Sequence, residues 1–378
     1  MPRAFVGLAL VGVLCLGSAA QAQTSGDPLH RVSFETADAP VTGHGPNASV
    51  SYVTDPANVK EGRTALRFTY AVRAGEHNAL VSVVPPGAVA SMKSVRFWIK
   101  TDTASTLGIV LQEEGGGRWI SVFSSARNQW LQVEADPSDF VLLHGSDNPA
   151  DPNGKLDMDK VAAVAIGDFA QMLVQTPNAD LLRLLGITPG TRTLYLDDVA
   201  AYASSLPPSF VVTRPGAVRM DTFARSQPMW AALGTASVSV TTGAPFSGRG
   251  LKVDYTRDAG TVAALMRMVP KGSLAGAREL ALSLASRVAT RLLVQLDEVG
   301  GGKYHAMLDV APSADMRTVR VTIADMQRAD DSQDANATLD LDQVHQVVII
   351  DPTGLLGGGD ATPNTLHIGS ISTTGAAP

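Results

Sequence analysis

The densest cluster of chemically capable residues is LQEEGGGRWIS (111–121), with two carboxylates, three glycines, an arginine and a tryptophan. A glycine run beside charge can cradle phosphate, but the P-loop spacing G-x-x-x-x-G-K-[ST] is absent here. Its near-copy DEVGGGKY (297–304) has a lysine after the glycines but no Ser or Thr following it. A dinucleotide loop would join a strand to a helix, whereas these glycines lie between two strand-like segments. Both runs therefore read as β-hairpin tips, where glycine supplies positive φ. The paired acids Glu113/Glu114 and Asp330/Asp331 have the residue type for glycoside chemistry, yet beside glycine turns they read as solvated turn residues. The aspartate-rich stretches 146–159 and 328–342 miss the EF-hand spacing and read as acidic loops with Asx capping. No G-x-S-x-G is present, and SDN at Ser146–Asn148 has no S-x-x-K or K-T-G companion. The seven histidines form no zinc-like pair.

The 378 residues carry 30 Lys+Arg against 36 Asp+Glu, a net charge of −6 without basic runs. That balance argues against nucleic acid as a partner. The opening MPRAFVGLALVGVLCLGSAAQAQ reads as a secretory signal: Arg3, an apolar core over 5–16, and cleavage after Ala20-Gln21-Ala22. Cleavage removes Cys15, the sole cysteine, leaves no membrane span, and sends the chain to the periplasm or outside the cell.

The elements that position these residues come twice. LQEEGGGRW (111–119) returns as LDEVGGGKY (296–304), 185 residues later, and six further segments recur in the same order. Among them are ALRFTY (65–70) with GLKVDY (250–255), and LDMDKVAAVAIGD (156–168) with LDLDQVHQVVIID (339–351). The last is TLYLDDV (193–199) with TLHIGSI (365–371). A tandem duplication follows. Domain one spans 27–203 and a degenerate domain two 217–373; the proline-rich 204–216 between them reads as a semi-stiff linker. Within each copy hydrophobicity alternates with period two, as in SVRFWIKTD, where Val95, Phe97 and Ile99 share a face. Eight or nine strands per copy predict an all-β fold of two antiparallel β-sandwiches. The one helical turn expected is NADLLRLLG (178–186).

In domain one, VSFE, KEGRTALRF, VRFWIKTD, WLQVEADPSDF, LDMDKVAAVAIGD and LYLDDV resemble, in that order, the jelly-roll, galactose-binding-like carbohydrate-binding modules. That class also includes the complex I intermediate-associated protein domain. The resemblance implies a structural calcium ion where the first and last strands meet. Its carboxylates here would be Glu35 and the pair Asp197–Asp198, with backbone oxygens of the 58–64 turn completing the shell. In domain two Asp221 matches Glu35, but Gly369 and Ser370 replace the aspartates, so no metal is expected there.

Sugar recognition wants an aromatic ring under an apolar sugar face with polar groups around it. Trp98 and Trp130 stand where the family places structural aromatics. Trp119, just past the glycine turn, is the candidate ligand platform, and Tyr304 is its partner in domain two. The expected function is a non-catalytic exported protein that binds carbohydrate or another extracellular polymer. The alternatives are an envelope assembly module with protein partners and, less favoured, a polysaccharide-active enzyme.

Overall fold

A computed structural model describes residues 27–36, 40–144, 148, 150–175, 178–357 and 361–375, so the leader expected at 1–22 and Cys15 lie outside the described residues. Domain one contains β1 (His30–Val32), β2 (Val41–His44), β3 (Ser49–Val53), β4 (Ala65–Val72), β5 (Ala79–Val83) and β6 (Ser94–Thr101). Next come β7 (Ser105–Glu113), β8 (Arg118–Ser125), β9 (Leu131–Ala135), β10 (Val141–Leu142) and β11 (Val161–Asp168). Helices α1 (Ala170–Leu173) and α2 (Ala179–Leu184) precede β12 (Gly190–Tyr202). Domain two contains β13 (Val211–Arg214), β14 (Ala217–Arg219), β15 (Ala231–Gly234), β16 (Ser237–Thr242), β17 (Arg249–Arg257), β18 (Ala263–Met268) and β19 (Ala277–Ser286). It ends with β20 (Thr290–Glu298), β21 (Lys303–Val310), β22 (Arg317–Thr322), β23 (Gln327–Arg328), β24 (Val344–Asp351) and β25 (Thr362–Gly375).

The two copies fold alike. In domain one an outer sheet runs β3-β4-β12-β6-β9, with β1 also on β12, and an inner sheet runs β10-β8-β7-β11-β5-β2. Domain two repeats both orders, as β16-β17-β25-β19-β22 with β14 on β25, and as β23-β21-β20-β24-β18-β15. All these pairings are antiparallel, so the fold is all-β, two tandem antiparallel sandwiches. Alternation buries Leu66, Phe68 and Tyr70 of β4 against Leu107, Ile109 and Phe123 in one core. Leu251, Val253 and Tyr255 of β17 fill the other. Very short strands such as β1, β2 and β10 raise the strand number above the eight or nine expected per copy. The expected helical turn is α2, capped by Asn178, whose side chain accepts the Leu181 N–H at 3.0 Å. The preceding turn α1 carried no sequence signal. Among the described residues no helix is long and apolar enough to cross a membrane.

The inner sheets of the two copies face each other. Ile120, Val122 and Val141 on domain one pack against Ala231, Met266 and Val348 on domain two, forming a third apolar cluster. The segment 204–216 is more than the semi-stiff linker its prolines suggested. Leu206 and Ser209 are buried, and β13 adds a strand to β14. Buried charge closes the seam. Arg225 pairs with Asp139, whose other oxygen accepts the Ser209 hydroxyl at 2.7 Å. Arg267 pairs with Asp221 at 3.0 Å and donates to Ser209 Oγ at 3.1 Å. Gln227 caps the edge of β9, accepting the Glu134 N–H and donating to its carbonyl at 2.7 Å. Removing one partner from a buried ion pair costs about 3–5 kcal/mol, so this network fixes how the domains dock.

Candidate functional site

The two glycine runs are hairpin tips, β7–β8 and β20–β21, closed by Glu113 N–H to Gly117 O at 3.2 Å and Glu298 N–H to Gly302 O at 2.8 Å. Their glycines make room for carboxylates as well as for a turn. A Cβ on Gly116 would lie 2.6 Å from Glu113 Oε2, and one on Gly302 2.0 Å from Glu298 Oε2. Each acid turns inward and accepts a backbone N–H from the acidic loop folded over the tip, Glu113 from Asp157 and Glu298 from Asp340. Burial, and then the neighbouring Asp151, holds the Glu113 carboxyl above its ordinary range. Asp151 accepts the Asn153 N–H at 3.0 Å, and Asp334 accepts those of Asn336 and Thr338 at 3.1 and 2.9 Å. These carboxylates fasten loop to hairpin.

Trp119 and Tyr304 do not form the ligand platform expected of them. Trp119 is 7% exposed and Tyr304 4%, and each belongs to its domain's core. Both begin the second strand of the hairpin in the register that points inward. Trp119 lies opposite Leu142 and Leu111, while the Tyr304 hydroxyl donates to Asp334.

The metal-site carboxylates are placed differently from the expected shell. Glu35 accepts the N–H groups of Arg63 and Thr64 at 2.7 and 3.1 Å, and Asp197 those of Lys60 and Glu61 at 2.8 and 2.9 Å. The 58–64 turn thus offers amides where carbonyl oxygens were expected, and Asp198 instead pairs with Arg31. The Arg63 N–H lowers the Glu35 pKa, while burial raises that of Asp197. Among the described residues no three His, Cys, Asp or Glu side chains converge to hold a metal. One feature of a cation site is nevertheless present: Asp197 is fully buried and its Oδ1 has no hydrogen-bond partner. In domain two Asp221 is satisfied by Arg267 and the Phe223 N–H at 2.7 Å.

Aromatic side chains do gather on the outward face of the outer sheet of domain one. Trp98, Trp130 and Tyr195 are all half-exposed there. Tyr195 lies opposite Lys100 and Arg67, and Trp98 opposite Gln132. Lys100 is held by Ala57 O and by Asn58 Oδ1 at 2.7 Å, its Nζ lying 5.1 Å from the Tyr195 ring and 5.5 Å from the Trp130 ring. Burial lowers its pKa. Lys60 Nζ sits 4.3 Å over Trp98, a cation–π contact that fixes the lysine stem on the ring. The sequence read Trp98 and Trp130 as packing residues. Both are half-exposed instead, Trp98 because position 98 has the outward parity of β6 and Trp130 because it precedes β9.

No family model matches the sequence, and no curated protein matches it. Among solved structures, the chain is similar to a family 11 carbohydrate-binding module from Clostridium thermocellum, with 13% identity, TM-score 0.34, and coverage of 47% of this chain and 96% of that one. It is also similar to a tandem of two family 22 modules from Paenibacillus barcinonensis, with 13% identity, TM-score 0.30, and coverage of 94% and 100%. An exo-beta-agarase matches with 13% identity and TM-score 0.32, over 47% of this chain and 24% of its own. The solved structures most of these matches describe are carbohydrate-binding modules, one of them a tandem.

Proposed function

We propose that this protein is an exported, non-catalytic carbohydrate-binding protein that holds a polysaccharide on the outer sheet of domain one. The observation that carries this reading is the patch of Trp98, Trp130 and Tyr195, half-exposed, seated around the buried Lys100 and flanked by Arg67 and Gln132. Rings stack on the apolar face of a sugar while amide, ammonium and guanidinium groups reach its hydroxyls. Docking of the inner sheets leaves this face free. The acids at the hairpin tips support the non-catalytic part, since they are spent on their own loops. Affinity electrophoresis against a polysaccharide panel tests the reading. Trp130→Ala is expected to cost about 2 kcal/mol, roughly thirtyfold in Kd, for whichever polymer retards the chain. Retardation unchanged in both Trp98→Ala and Trp130→Ala would remove this face.

A calcium ion in domain one is a narrower proposal, resting on the buried, unpartnered Asp197 Oδ1. When bound, calcium would neutralise Asp197 and Glu35 and tie β1 to β12 through the 58–64 turn. A chelator should then lower the melting temperature, and a melt indifferent to chelator and to added calcium removes the ion.

A further inference from the structure

The seam between the domains is not closed along its whole length. Where β7 starts and β8 ends it opens into a cleft of about 460 Å³, in the size range of small-ligand sites. Domain one supplies Thr103–Thr106, Ser124–Ala126 and residues 185–192, and domain two supplies Ala232–Gly234 and Ala236–Val238. The lining divides by chemistry. Thr106, Ser124, Thr188 and Ser237 bring hydroxyls, and Phe169, Leu173, Leu185, Ile187 and Leu233 bring apolar surface. Thr106 Oγ1 already donates to Ala232 O at 2.9 Å and Ser237 Oγ to Asp254 O at 3.1 Å, so toward a ligand these two hydroxyls act as acceptors, while Ser124 Oγ accepts the Ala232 N–H at 2.7 Å.

The cleft carries no free charge. Its two ionised side chains, Asp168 and Arg192, are buried against each other at 2.7 Å. The Tyr70 hydroxyl donates to the same carboxylate at 2.8 Å and the Ala170 N–H to its other oxygen at 2.8 Å. A charged ligand would lose its hydration with nothing to replace it. A neutral ring with one apolar face and a rim of hydroxyls meets both kinds of lining residue.

Domain two shows why the cleft exists. There Tyr255 and Asp351 form the same pair at 2.8 Å, but the arginine is Arg257, from β17. Its guanidinium reaches Ala289 O at 3.0 Å and Thr290 Oγ1 at 2.6 Å. The corresponding residues of domain one, Ala104 and Ser105, line the cleft, because Arg192 approaches Asp168 from β12 instead.

We infer that this cleft binds a single uncharged saccharide ring, or the neutral end of an oligosaccharide, at a second site shared by both domains. The inference takes the sugar class from the proposed function, while its location rests on the cleft alone. Because both domains line the site, its occupant also reinforces their docking.

The test is saturation-transfer NMR on the full chain with glucose, galactose, xylose and cellobiose, and with glucuronate and glucosamine as charged controls. At least one neutral sugar should give a signal that the charged ones lack. In a chain carrying Trp98→Ala and Trp130→Ala, which lacks the outer-sheet patch, the signal should remain, and adding Ala104→Trp or Ser237→Trp, both at exposed rim positions, should abolish it by filling the space. A signal that survives both cleft-filling variants overturns the inference. So does a wild-type chain that binds polysaccharide through Trp130 yet gives no signal with any neutral sugar. Loss of both polysaccharide and small-sugar binding sinks the proposed function as well.

Discussion

The two domains solve the same local problems with different chemistry. In domain one the turn after β3 is held down by a carboxylate, Asp197, accepting the N–H groups of Lys60 and Glu61. In domain two Gly369 stands at that position, and the turn docks through the Phe246 ring, edge-on to His367 at 5.4 Å. A Cβ on Gly250 would lie 2.2 Å from that ring, so two glycines admit a phenyl group where the first copy has an acid. The buried Tyr–Asp pair diverged as well, taking its arginine from β12 in one copy and from β17 in the other. What the sandwich requires is a filled space and a neutralised carboxylate. The residue that provides them is free to move.

The largest expected effect comes from the arginine. Arg192→Asn copies Asn364, its counterpart opposite Tyr255, and leaves Asp168 without its cation. It should destabilise domain one by about 3–5 kcal/mol. Adding Val72→Arg, which copies Arg257, should recover part of that loss in denaturant melts. If the double variant is no more stable than the single, the two arrangements are not interchangeable.

The seam comes next. Ile120 has His305 as its counterpart in the second hairpin, so Ile120→His gives domain one the residue that domain two carries. Burying it against Ala231 and Met266 should cost roughly 2–4 kcal/mol of docking. One calorimetric transition should split into two, and the radius of gyration should grow. A compact chain with a single transition would show that the ion pairs alone hold the domains.

The smallest effect is a pH dependence near the other end of the seam. His144 of domain one and His345 of domain two interact there, both with pKa values lowered by burial, His144 further by Lys271 and His345 further by His144. Separated domains would return these rings toward the ordinary 6.5. Undocked chains therefore bind more protons, and docking weakens as pH falls below about 6.5. Asp297, raised above 3.8 by burial, acts in the opposite sense at lower pH. Melting temperature should fall by a few degrees between pH 7.5 and 5.5, and this slope should vanish in His144→Gln with His345→Gln. An equal slope in that variant assigns the effect elsewhere.

The duplication and the sheet class were legible because buried β-strands impose period two and because the hairpin tips kept their glycines. The seam was not read, although β8 advertised it. WISVF (119–123) is apolar on both faces, which marks a strand covered on both sides, whereas the matching YHAML (304–308) alternates. Trp119 misled because its place beside a turn suggested exposure, while its parity points inward. Trp98 misled in the opposite direction. The partner of Asp198 was invisible, since Arg31 lies 167 residues away and only the register of β1 on β12 joins them.

The seam also leaves part of each repeated sheet uncovered. It joins β7, β8 and β10 of one copy to β15, β18 and β24 of the other, which are different strands of the repeated sheet. Such a head-to-tail contact between identical units would leave a complementary face open at each extremity, and units could add without limit. Here the open face of domain two carries Arg291, Gln295, His305 and Asp309, with Arg291 and Asp309 paired at 2.7 Å. The corresponding open face of domain one offers small residues such as Ala165, beside the exposed Val83. Divergence between the copies has therefore left each open face with residues unlike those that meet in the seam.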